Sequence, residues 1–175
     1  MKSYTTFHQA AILKGQVMKK TITILGDTTN IFPDLMEVLM KQDLRLLFVS
    51  EDEFQKSKLK SRLEQTKTVA EVEFTSCERD GCWEADIIVI SQPEKVSSDF
   101  LEGIREVATQ KIVLATYQNT KKLENSNLKQ VLPHSKVVLL QVDSQEKEFL
   151  MFGDYPEAGD RVKEIFSGAG YEIRQ

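Results

Sequence analysis

The chain has 175 residues, 41% apolar and 29% charged, with eight Gly and four Pro. It is long enough to bury a core without a metal or disulfide staple, and it is neither collagen-like nor compositionally disordered. Twenty-three Lys and Arg against 27 Asp and Glu leave a net charge of −4. That balance argues against nucleic acid as a partner, since phosphate contacts need clustered cations. No apolar run approaches the ~20 residues of a membrane span.

Two cysteines, Cys77 and Cys82, are too few for a disulfide framework, and neither His8 nor His134 is near enough in sequence to complete a metal set. Reduced thiols in a cytoplasmic protein are expected, with a local redox pair as the alternative and no metal. Residues 1–17 lack the long apolar stretch of a signal peptide, their only apolar cluster being Ala10 to Leu13. They are expected to be a disordered leader or the product of a mis-assigned start, because Met18-Lys19-Lys20 opens directly onto a strand. Residues 18–175 then form a single domain.

In chain order, Thr21 to Leu25 is a β-rich run that ends at Gly26. Pro33 suits the first turn of a helix, where its missing N–H costs nothing. The helical spacing of Leu35, Met36, Val38, Leu39 and Met40 continues that helix to about Gln42. Leu44 to Val49 is almost wholly apolar, as a parallel strand covered on both faces must be. Glu51 to Gln65 reads as a solvated helix and Val69 to Phe74 as a short strand. Asp86 to Ile90 is a strand, Ser97 to Thr109 a helix and Lys111 to Ala115 a strand. A short helix is expected within Lys121 to Val131, and strands at Lys136 to Val142 and Glu148 to Phe152. A helix over Pro156 to Ser167, ended by Gly168 and Gly170, precedes a last strand, Tyr171 to Arg174. Alternating strands and helices predict an α/β fold with a mostly parallel sheet and helices on both faces. Ligands of such sheets bind at the carboxyl ends of the strands.

The turn after the first strand reads Gly26-Asp27-Thr28-Thr29-Asn30-Ile31-Phe32. A dinucleotide loop wants one glycine for the turn, a second for close approach of pyrophosphate to backbone, and a third for helix–strand packing. Only the first is present. The segment resembles the phosphate loop of the deazaflavin-dependent NADP oxidoreductases, Gly-Gly-Thr-Gly-Asn-Ile/Leu-Gly. Gly26, Thr28, Asn30 and Ile31 match in place, while Asp27, Thr29 and Phe32 stand where that family has glycine. Ala85 to Pro93 resembles the family's Ala-Asp-Val-Val-Val-Leu-Ala-Val-Pro. Further matches fall at Lys111-Ile112-Val113, at Leu132-Pro133 with Lys136-Val137-Val138, and at Gly153-Asp154, so the resemblance spans most of Lys20 to Gln175.

The resemblance implies a Rossmann-like, doubly wound domain with NAD or NADP held by Gly26, Thr28, Thr29, Asn30, Ile31, Ser50, Glu51, Ser91 and Pro93. The departures bear on that role. Thr29 adds a branched side chain where pyrophosphate should touch backbone, and Phe32 puts a ring where the helix should approach the strand. Asp27 sets a negative charge near the helix N-terminus that would attract the anion. Ser50 matches the family's Ser, but Glu51 stands at its Arg. A carboxylate there partners a ribose 2′-OH and favours NAD over NADP. Glu51, Asp52 and Glu53 also fit the acidic first turn of a helix.

Ser91-Gln92-Pro93 corresponds to the family's cofactor-facing turn. Tyr117 and Asn119, in a polar cluster after the fifth strand, are candidate substrate contacts or part of a surface loop. His134 precedes its strand and reads as a surface residue. The family's substrate-binding segment after the last strand has no counterpart before Gln175. No catalytic residue stands out.

Two functions follow. One is a small NAD(P)-dependent oxidoreductase with a nucleotide as its small-molecule partner. The other is a degenerate domain without redox activity, acting as a binding or assembly module through a homodimer and holding no cofactor.

Overall fold

The computed structural model describes residues 18–26, 33–117, 127–143, 145–146, 148–167 and 172–174. Its elements are β1 (Thr21–Gly26), α1 (Pro33–Met40), β2 (Arg45–Val49), α2 (Glu53–Gln65), β3 (Glu71–Thr75) and α3 (Glu78–Glu84). There follow β4 (Ile87–Ser91), a 3-10 turn (Pro93–Lys95), α4 (Ser98–Ile104), β5 (Ile112–Tyr117) and α5 (Leu128–Val131). The chain closes on β6 (Lys136–Asp143), β7 (Glu148–Gly153), α6 (Pro156–Phe166) and β8 (Glu172–Arg174).

The strands form one eight-stranded sheet in the order β3-β2-β1-β4-β5-β6-β7-β8. Neighbours from β3 to β6 run parallel, β7 returns antiparallel to β6, and β8 runs parallel to β7. The apolar run Ile87 to Ile90 of β4 is explained by its place inside the sheet with both faces covered. Alternate residues feed two cores. Ile87 and Val89 join Leu35 and Leu39 of α1 and Val162 of α6, while Ile88 and Ile90 join Cys82 of α3 and Leu101 and Ile104 of α4. Each fully buried Ile or Leu of this kind contributes about 1.5–3 kcal/mol.

Several expected boundaries shift. The third strand starts at Glu71 rather than Val69, because the amides of Val69 and Ala70 donate instead to the Met40 carbonyl at the end of α1. The helix expected over Ser97 to Thr109 is regular only to Ile104, and turns carry the chain on to Gln110. Gln110 has φ 65 and donates its amide to the His134 carbonyl. The helix after β2 begins at Glu53, not Glu51. α3, over Glu78–Glu84, was not anticipated from the residue pattern and packs on β1, β2 and β3. Among the described residues no helix is long and apolar enough to cross a membrane.

Candidate functional site

β1 lies between β2 on one side and β4 on the other, so the strand order reverses at the β1–β4 seam. A crevice opens at such a switch point, outside the carboxyl ends of the strands. Gly26 ends β1 and pairs in register with Ser91, which ends β4. Its φ is +96, a conformation that L side chains rarely adopt. A Cβ at this position would stand 2.6 Å from the Ser91 carbonyl oxygen. The glycine expected on dinucleotide grounds is thus demanded by both the turn and the neighbouring strand. Thr28, Thr29, Asn30 and Ile31, and with them Asp27 and Phe32, lie outside the described residues, as does Asn119.

On the β2 side the three acids divide their roles. The Asp52 carboxylate caps α2, its Oδ1 accepting from the amides of Phe54 (2.8 Å) and Gln55 (3.3 Å). Such a cap is worth about 1 kcal/mol. Glu53 takes the Lys56 ammonium at 2.7 Å. Ser50 is engaged locally, its amide donating to the Thr75 carbonyl and its hydroxyl accepting from the Asp52 amide at 3.1 Å. Glu51 is exposed, stands outside the helix, and has no hydrogen bond or ion pair among the described residues. The acidic first turn therefore accounts for Asp52 and Glu53 but leaves Glu51 at the strand end.

On the β4 side the site is unusual in its polar groups. Ser91 is the last residue of β4 and Thr116 the penultimate residue of β5, and they are register partners. They are 2% and 1% exposed, and the adjoining Gln92 is 6% exposed. Among the described residues no hydrogen bond reaches Ser91 Oγ, Gln92 Oε1 or Thr116 Oγ1. Leaving such a group buried and unpaired costs about 1–3 kcal/mol, so each asks for an explanation.

Gln92 also takes a left-handed backbone, φ 53 and ψ 63. Its amide donates to the Thr116 carbonyl and its carbonyl accepts from the Lys95 amide, which fixes the strained residue over the β4–β5 seam. Strained backbone of this kind clusters at ligand sites. Pro93 is buried at the start of the 3-10 turn that follows. Tyr117, expected in the loop after the fifth strand, is instead the last residue of β5 and is buried in the second core.

Sequence reasoning thus picked out Gly26, Ser91 and Glu51 from their places at strand ends. It named Gln92 only as part of a turn and did not single out Thr116, because nothing in a single sequence says that a polar side chain is enclosed without a partner. The strand register was the signal needed.

No family model matches the sequence, and no curated protein matches it. Solved structures do match. The pyrroline carboxylate reductase of Plasmodium falciparum, with NADP bound, is 16% identical with a TM-score of 0.59 over 91% of this chain and 58% of that one. FHMPC 5-dehydrogenase, an NAD+-dependent dismutase, is 17% identical with a TM-score of 0.63 over 90% and 57%. Arogenate dehydrogenase of Synechocystis is 16% identical with a TM-score of 0.63 over 90% and 59%. The chain has a Rossmann-like fold. At these identities the likeness is one of architecture, and this chain spans about three fifths of the length of each of these proteins.

Proposed function

We propose that this Rossmann-like domain binds a dinucleotide of the NAD type across the carboxyl ends of β2, β1, β4 and β5. The observation that carries the reading is Gly26, held at φ +96 against the Ser91 carbonyl at the point where the strand order reverses. A glycine at this place makes the tight turn that leads the first strand into a dinucleotide crevice. Gly26, Glu51 and Ser91 fit the group, while Asp27, Thr29 and Phe32 stand where the resembled family has glycine. Glu51 at the end of β2 suits the 2′-hydroxyl of the adenine ribose, Gly26 with Thr28 to Ile31 the pyrophosphate, and Ser91 with Pro93 the far half. Asn119 is taken as a candidate substrate contact. The resemblance of Gly26 to Phe32 and of Ala85 to Pro93 to the deazaflavin-dependent NADP oxidoreductases supports the same reading. Glu51 in place of that family's arginine turns the preference to NAD. When bound, the cofactor supplies a hydride acceptor or donor, and the domain supplies its position.

A thermal-shift titration of the full chain with NAD, NADH, NADP and NADPH tests this. Ligand at 100 times its Kd stabilises by about 2.7 kcal/mol, which at this chain length raises Tm by roughly 5–10 °C. The expected result is a shift with NAD or NADH and a smaller one with the phosphorylated pair. No shift at millimolar concentrations would leave the binding or assembly module without a cofactor as the better account.

A further inference from the structure

α1 and α2 pack on the same face of the sheet, where Leu35, Met36, Leu39 and Met40 of the first and Leu59 of the second join one core. Between the carboxyl-terminal ends of these helices opens a cavity of about 520 Å³, within the ~300–1,000 Å³ of small-molecule sites. Its floor is apolar, formed by the buried side chains of Met36, Met40 and Leu59. Val69 adjoins it, 53% exposed, with its amide on the Met40 carbonyl. Two methionines make this floor adaptable, because the unbranched thioether side chain repacks around an irregular guest.

The rim is cationic. Lys41, Arg62 and Lys67 line it against a single acid, Glu37, and Glu37 is already paired with Lys41. Among the described residues no hydrogen bond or ion pair reaches the Arg62 guanidinium or the Lys67 ammonium. Nor do these two groups cap the helix ends. The Leu63 carbonyl accepts the Thr66 amide, the Arg62 carbonyl accepts the Thr66 hydroxyl at 3.0 Å, and the Met40 carbonyl accepts the amides of Val69 and Ala70. A chain of net charge −4 thus holds two unengaged cations over an apolar hollow.

The two features together narrow the guest. A bare inorganic anion would leave the methionine floor wet, and a cationic or neutral amphiphile would leave Arg62 and Lys67 unused. An anion with an apolar tail uses both. Its tail removes apolar surface from water, and its head takes charge-assisted bonds from the guanidinium fork and the ammonium.

We propose that the α1–α2 groove binds an organic anion with a flexible apolar tail, its head on Arg62 and Lys67 and its tail on Met36, Met40 and Leu59. The groove shares no residue with the dinucleotide crevice, so it stands or falls independently of that reading.

Methionine-methyl NMR of the full chain tests this, with octanoate, octyl phosphate, acetate and octyltrimethylammonium as probes. Octanoate or octyl phosphate is expected to shift the methyl signals of Met36 and Met40 and to leave those of Met18 and Met151 in place. The tighter of the two tells whether the head is a carboxylate or a phosphate. Acetate and the cation should have no effect at the same concentrations. Arg62→Gln combined with Lys67→Gln should weaken octanoate binding by about tenfold or more while leaving the Tm of the unliganded chain unchanged. Saturating NAD should not alter the octanoate affinity.

Absence of any shift at Met36 and Met40 with millimolar octanoate and octyl phosphate would overturn the proposal. So would acetate or the cation acting as strongly as octanoate, shifts centred on Met151, or an undiminished affinity in the double variant.

Discussion

An alanine at position 26 would bring its Cβ to 2.6 Å from the Ser91 carbonyl oxygen while forcing an L side chain to φ +96. Strain of that backbone alone costs about 1–3 kcal/mol, and the overlap is with backbone, which cannot swing away. Gly26→Ala is therefore expected to lose at least about 2 kcal/mol in urea denaturation, and an unchanged midpoint would mean that β1 and β4 are less tightly registered than described. Glu51 makes the opposite kind of test, because no partner among the described residues depends on it. Glu51→Arg should leave stability within ~0.5 kcal/mol. It should move the nucleotide preference from NAD towards NADP by tenfold or more, about 1.4 kcal/mol, read as the ratio of the two dissociation constants. At this scale the sequence was informative wherever a residue's role follows from its type at a strand end, as with Gly26 and Glu51. It gave Gln92 no role beyond its turn and Thr116 none at all, since what marks them is burial without a partner among the described residues and the register between two strands.

α3 is the element that residue patterns concealed. It spans only Glu78–Glu84, has Gly81 at its centre, and exposes Trp83, so it shows neither good helix propensity nor an apolar stripe. Tertiary packing explains it. Gly81 lies against three side chains of the sheet, and an added Cβ would stand 2.9 Å from Val49 Cγ2 and 3.3 Å from Cγ2 of both Thr23 and Thr75. The Gly81 carbonyl accepts the buried Thr23 hydroxyl at 2.7 Å. Gly81→Ala should thus destabilise by about 1–3 kcal/mol, although alanine is the better helix former. A gain in Tm would show that α3 sits farther from the sheet.

The helix also sets the chemistry of Cys82, which is fully buried in the second core, with its thiol pushed up to about 12 by burial. In the unfolded chain a thiol ionises near ~8.5. Between roughly pH 9 and 12 the unfolded state then binds fewer protons than the folded one, so stability falls as pH rises, by up to about 1.4 kcal/mol per pH unit from this group. Cys82→Ala should flatten the alkaline limb of a stability-against-pH curve relative to the parent, whereas parallel curves would contradict the buried assignment. The long apolar strands β2, β4, β5 and β6 were by contrast legible from composition alone, because a strand covered on both faces has no polar face to blur it.

Across the whole molecule, the two edges of the sheet differ in what their polar groups are doing. At the amino ends of β5 and β6 the charges are already engaged with the protein. Lys111 donates to the carbonyls of Cys82 and Trp83 at the end of α3, Lys136 pairs with Glu157 at 3.2 Å, and Arg161 pairs with Glu164 at 3.1 Å. At the carboxyl edge the polar atoms of Ser91, Gln92 and Thr116 are buried and have no partner among the described residues, beside a glycine turn at the switch point. That asymmetry could not be read from composition but follows directly from the strand order.

The central claim is that a dinucleotide binds at the carboxyl edge. Hydrogen exchange of the full chain with and without millimolar NAD tests it most directly. The account predicts added protection in the peptides that end β1, β4 and β5, around Gly26, Ser91 to Gln92 and Thr116. Unchanged exchange there, or protection confined to the opposite edge around Lys111, Lys136 and Arg161, would contradict it.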